Sequence, residues 1–165
     1  MFDDLIRAGR KRRLWEPHAE HRVELGRDAI EALIPHRDPF LFVDRIDAVD
    51  RAGGVIAGRR WLDPADPLFR GHFPGDPIYP GALQVEAIGQ LALCLFALVR
   101  GPTAGVRALK IHHAAFLAAI RPGAELVVIA KALESNDYTG VCEGQVLVGN
   151  AICCHAVMEV YFVEA

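Results

Sequence analysis

At 165 residues, with 52% of them apolar and 24% charged, the chain has the size of one domain and enough apolar side chains to fill its core. A formal net charge of −3 supplies no general basic field, so neither nucleic acid nor an anionic membrane is expected as a partner. The longest uninterrupted apolar run, Leu91 to Val99, is about half a bilayer span, no secretory signal is visible, and four cysteines without CxxC spacing point to a reducing, cytoplasmic setting.

In chain order, residues 1–27 read as an arm or short helix. Five cations (Arg7, Arg10, Lys11, Arg12, Arg13) stand among sparse apolar residues (Phe2, Leu5, Ile6, Leu14, Trp15). One side of such a segment packs and the other is solvated; its cations are either a solvated face or a dock for an acidic partner. Residues 28–165 read as a single domain. Asp28 is expected to cap a helix that Pro35 stops, and 40–49 and 53–62 read as two strands joined by a turn. Between Asp63 and Gly81 five prolines and three glycines predict a stiff loop without regular structure. A long helix is predicted over 82–99, closed by Gly101 and Pro102. Four strands follow, at 107–116, 125–134, 138–148 and 152–163. In the last of them Ile152, Cys154, Ala156, Met158, Val160 and Phe162 form an apolar face, and the alternate residues a mixed one. The class is α+β.

Only Gln84, Glu86 and Gln90 interrupt the apolar cover of the long helix over most of its length, so a sheet must wrap it. Glu86 and Gln90, four apart, share a face. An unpaired carboxylate inside a core costs several kcal/mol, roughly, so Glu86 must be protonated, hydrogen-bonded or facing a cavity. A carboxylic acid kept neutral serves as a general acid; the alternative is a glutamate on an exposed first turn, favoured by the helix dipole. Just upstream, Gly71-His72-Phe73-Pro74-Gly75 holds a histidine in a loop with little freedom, and Gly81 opens the helix where free N–H groups converge. Together they suggest an acid–base pair with a carbonyl anchor, although His72 taken alone reads better as a capping or turn histidine.

Three blocks then carry a resemblance: Leu33-Ile34-Pro35-His36-Arg37-Asp38-Pro39-Phe40-Leu41-Phe42-Val43-Asp44-Arg45, Gly71-His72-Phe73-Pro74-Gly75-Asp76-Pro77-Ile78-Tyr79-Pro80-Gly81, and Glu86-Ala87-Ile88-Gly89-Gln90. In that order and spacing they resemble the (3R)-hydroxyacyl-acyl-carrier-protein dehydratases of fatty acid synthesis. Phe116 with Arg121-Pro122-Gly123 is similar to a later strand and turn of that family. The resemblance implies a hotdog fold, an antiparallel sheet wrapped around the long helix. It implies a homodimer, or a trimer of dimers, with the active site at the interface between protomers. His72 of one protomer would then be the base and Glu86 of the other the acid. The Gly81 amide would hold the thioester carbonyl, and Gln90 would orient Glu86. No metal or organic cofactor is implied. The product would be a trans-2-enoyl thioester, and the substrate's carrier an acyl carrier protein.

The chain departs from that family in three places. Leu117 and Ala118 stand where it usually carries basic residues, and the basic N-terminal arm then becomes the compensating surface for an acidic carrier. Asp38 replaces an aromatic, and the N-terminal extension is atypical, which suggests a specialised relative serving a secondary pathway. A thioesterase and a non-catalytic acyl-binding subunit share the fold and are the competing readings. Other pairs read as structure. His112-His113 and Cys153-Cys154 are adjacent on strands and so point to opposite faces; Cys153 with His155 lacks a third ligand. His36-Arg37, in a Pro-bounded turn, reads as structural.

Overall fold

The computed structural model describes residues 2–101 and 105–163; Pro102, expected to help end the long helix, lies outside them, as do Met1 and the last two residues of the predicted domain. Seven antiparallel strands form one sheet: β1 (Arg22–Leu25), β2 (Arg45–Asp50), β3 (Val55–Trp61), β4 (Gly105–Phe116), β5 (Glu125–Ser135), β6 (Thr139–Val148) and β7 (Ala151–Val163). Their spatial order is β1-β2-β3-β5-β6-β7-β4. Among the described residues four α-helices, α1 (Asp3–Gly9), α2 (Arg27–Leu33), α3 (Leu68–Gly71) and α4 (Gly81–Arg100), and a 3-10 turn at Ala19–His21 accompany them.

The sheet curls around α4, as the near-continuous apolar cover of that helix requires. Ile88, Leu91, Cys94 and Leu95 are sealed against Leu126, Val128, Cys142, Val146, Cys154 and Ala156. By length and hydropathy α4 would pass for a membrane span, but 67% of that stretch is buried inside the protein, which marks it as a core helix. Gly144 on β6 sets how closely it seats: a Cβ there would stand 2.2 Å from Ile88 Cγ2 and 2.9 Å from the Ile129 carbonyl oxygen. At the far end Gly101 takes φ 92°, and its N–H donates to the Ala97 carbonyl at 2.9 Å, a stop that favours glycine.

A smaller apolar cluster lies elsewhere in the sheet, where Ala48, Val55, Ala57, Ile129 and Leu147 are covered by Leu14 and Trp15 of the N-terminal segment. This segment packs through one side and leaves Arg7, Arg10, Lys11 and Arg12 exposed, while Arg13 is part-buried.

Several local expectations need correction. Residues 22–25 form β1, a strand the charged sequence Arg22-Val23-Glu24-Leu25 conceals. The second strand starts at Arg45, not Phe40, because the preceding stretch is held by α4 instead: Phe42 N–H donates to Gln90 Oε1 at 2.8 Å. Asp28 lies in the first turn of α2, whose cap is Gly26. The proline-rich loop contains α3, with Pro67 at its cap, where a missing N–H costs nothing. Ile152 leaves the apolar face of β7, because the register slips between Val146 and Leu147 and Cys153 becomes the extra residue.

Candidate active site

His72 follows α3 and heads a tight loop. Phe73 N–H donates to the Asp76 carbonyl (3.2 Å), Asp76 N–H to the Phe73 carbonyl (3.1 Å) and Ile78 N–H to the His72 carbonyl (2.9 Å). Arg121 pins the loop from outside through the Asp76 carboxylate and the Pro77 carbonyl. The ring of His72 stacks on Phe73 with centroids 4.1 Å apart. Its Nδ1 lies 2.8 Å from the Ile78 carbonyl oxygen, an acceptor only, so in the neutral ring Nδ1 carries the proton and Nε2 the lone pair.

Beside it the backbone turns into α4. Leu83 and Gln84 N–H both donate to the Pro80 carbonyl, which leaves the amides of Gly81 and Ala82 ahead of the helical ladder. Gly81 packs face-on against Phe116: a Cβ at Gly81 would stand 2.6 Å from the Phe116 ring. His72, Gly81, Tyr79, Gln84, Phe116 and Leu117 line one cleft. Burial pushes the Tyr79 hydroxyl up to about 12 against the opposing pull of Arg60, so it stays protonated, and Gln84 Oε1 has no hydrogen-bond partner among the described residues.

Glu86 lies one turn further on and keeps about a third of its side chain exposed (34%). Of the alternatives open from sequence, hydrogen bonding and a cavity both hold. Gln90 Nε2 donates to Glu86 Oε1 at 2.9 Å and to the Phe40 carbonyl at 3.0 Å, while its Oε1 takes the Phe42 N–H. With every polar atom engaged and only 1% exposure, Gln90 is a fixed strut between the helix and residues 40–42. Glu86 faces two clefts. One is shared with Gln90, Leu93, Val106 and Met158, the other with Ala82, Ala108, Ile111 and Phe116.

Within one chain, His72 and Glu86 therefore line different clefts. Ala82 and Phe116 border both, so the Phe116 ring stands between them.

His36, which in the sequence reads as a structural turn residue, stands beside Glu86. Its Nε2 lies 3.6 Å from Glu86 Oε1 and its ring lines the Glu86 cleft. Burial holds its pKa below the ordinary value, Glu86 opposes that shift, and Arg37 adds to it. Only its neighbour is purely structural: Arg37 ties the end of α2 through the Glu31, Ile34 and His36 carbonyls. Adjacent residues in a turn face different ways, and no periodicity reveals which faces the site.

The other candidate pairs resolve as packing. His112 meets Glu159 at 3.2 Å, and His155 meets Glu143 at 2.9 Å. All four cysteines are free and buried; burial pushes Cys94, Cys142 and Cys154 up to about 12. Such thiols are poor nucleophiles. Among the described residues no three His, Cys, Asp or Glu side chains gather as a metal site.

A family model of the FabA-like domain matches residues 34–157, and the chain belongs to that family. It is 34% identical over 133 residues to the 3-hydroxyacyl-[acyl-carrier-protein] dehydratase FabZ of Protochlamydia amoebophila, covering 80% of this chain and 86% of that one. The FabZ of Campylobacter concisus is 30% identical over 142 residues, 82% of this chain and 95% of the relative. Among solved structures, the dehydratase heterocomplex ApeI:P of Xenorhabdus doucetiae superposes with a TM-score of 0.70 at 15% identity, over 82% of this chain and 91% of that one. The fold is the hotdog expected from the sequence.

Proposed function

We propose that the chain dehydrates (3R)-hydroxyacyl thioesters carried on an acyl carrier protein to trans-2-enoyl thioesters in fatty acid synthesis. The observation that carries this reading is the tautomer-locked His72 set beside the free Gly81 amide, on a family member whose helix also presents Glu86 at a cleft.

The thioester carbonyl rests on the Gly81 N–H, at the positive end of α4, where charge develops as the C2 proton leaves. Nε2 of His72 takes that proton as a general base. Glu86, oriented by Gln90, gives a proton to the C3 hydroxyl, which departs as water while the C2–C3 double bond forms. Every atom is accounted for without a cofactor or metal.

Since the two side chains of one protomer face separate clefts, the working pair is His72 of one protomer and Glu86 of another. The homodimer this requires is supported by β4, which stands last in the sheet order and exposes Leu109 (54%), Ile111 (56%) and Phe116 (56%). Four free cysteines suit a cytoplasmic enzyme.

The test supplies a 3-hydroxyacyl thioester and an unsubstituted acyl thioester, following enoyl formation and free thiol. His72→Ala and Glu86→Gln should each lower the dehydration kcat by about a hundredfold or more. Thiol release without enoyl product would instead identify a thioesterase, and silence with both substrates an acyl-binding subunit.

A further inference from the structure

The N-terminal segment is seated on the sheet by buried polar groups. Gln145 is fully buried; its Oε1 accepts the Leu14 N–H at 2.9 Å, and its Nε2 donates to the carbonyls of Gly9 and of Arg12, the latter at 2.8 Å. Gly9 lies flat on the His155–Glu143 pair, where a Cβ would come within 2.2 Å of His155 Nε2. At the other end of α1, the Phe2 ring meets His112 edge-on with centroids 5.2 Å apart. A glycine, two backbone carbonyls and one amide thus dock the arm in a single position.

That position decides where its cations stand. Arg7, Arg10 and Lys11 gather with Leu117 around one cleft. Leu117 also lines the cleft of His72 and Gly81, so the cationic cleft and the site of the base are neighbours through a shared wall. Arg7 is partly offset by Asp4 at 3.2 Å, with both groups exposed. Arg10 and Lys11 form no ion pair among the described residues. The residues beyond Phe116, namely Leu117, Ala118 and Ala119, bring no charge of their own. Positive charge beside this cleft is therefore supplied by the arm, in a chain whose net charge is −3.

We propose that the cluster of Arg7, Arg10 and Lys11 is the docking surface for an acidic carrier protein, set beside the cleft that runs past Leu117 to His72. The inference rests on the dehydratase reading and adds the surface that receives the substrate. Exposed cations beside a cleft raise the encounter rate with an anionic partner, and salt screens them within about 10 Å.

The experiment measures binding of a purified acidic holo-acyl carrier protein to the full chain by fluorescence anisotropy, as a function of salt. Charge reversal in R10E/K11E should raise Kd about tenfold or more and flatten its salt dependence, whereas Arg51→Glu, in the β2–β3 turn, leaves both as they were. The exchange R10K/K11R should keep wild-type binding, which separates charge from folding. An unaltered Kd in R10E/K11E, or wild-type binding that salt does not weaken, overturns the proposal. Equal weakening toward free coenzyme A overturns it too, since the cluster would then read a phosphate and not a carrier surface. Turnover keeps the two readings apart: charge-dependent carrier binding without enoyl product from any thioester defeats the dehydratase and leaves the docking surface standing.

Discussion

The ring of His72 can act as a base only because its other nitrogen is committed to the Ile78 carbonyl, and that commitment comes from the loop, not from the residue. Gln90 has the parallel duty toward Glu86, with three hydrogen bonds made by a side chain that is itself buried. Gln90→Leu would orphan the Phe42 N–H and the Phe40 carbonyl, so it should cost about 1–3 kcal/mol of stability and lower kcat more than it changes KM; urea denaturation and steady-state kinetics check both. Histidines also set an acid limit to stability. Burial lowers the pKa of His36 against the pull of Glu86, and with Arg37 beside it; burial, then His155 and Arg10, lowers that of His113. Both groups therefore bind protons more readily in the unfolded chain, whose value is 6.5. Their contribution to stability is complete above that value and is lost as pH falls through the folded values. The melting temperature should accordingly drop between about pH 7.5 and about pH 5.5, and drop less in His36→Gln.

At the level of elements, α4 and β6 meet through Gly144, where the helix has no room for a side chain. Gly144→Val should shift Ile88 and open the core around it, lowering stability by about 3 kcal/mol or more, measurable as an early urea midpoint. The two ends of the sheet are built for different fates. β1 has four residues, two of them charged, and makes a poor template; β4 runs for twelve and exposes apolar side chains. The long helix and the clear alternation of β7 were readable because burial on all sides, or on one face, leaves a pattern in the chain. β1 was not readable, since the alternation of Arg22-Val23-Glu24-Leu25 is only four residues long and two of them are charged. The bulge that turns Ile152 away is equally invisible, being a property of two strands at once.

For the whole molecule, the proposed chemistry pairs His72 of one copy with Glu86 of another, a reading supported by the separate clefts that the two line within one chain. Ile111→Lys, on the exposed edge of β4, should yield monomers by sedimentation and abolish dehydration while leaving the circular dichroism spectrum intact. A monomer that kept full activity would show that the pair assembles within one chain. The arm belongs to this scale as well: it closes the second apolar cluster with Leu14 and Trp15 and carries its cations to the side of the sheet where His72 lies.

The sequence alone determined the α+β class, the buried helix and the identity of the chemical groups, because burial, proline content and residue type are properties of the local chain. Three ordered blocks extended this to a family. Which groups meet was decided only in three dimensions: His36 at Glu86, Phe116 between two clefts, and a basic arm beside Leu117. Each is a contact between segments far apart in the chain, and such contacts are selected by packing of the folded whole, leaving no periodic trace in either partner.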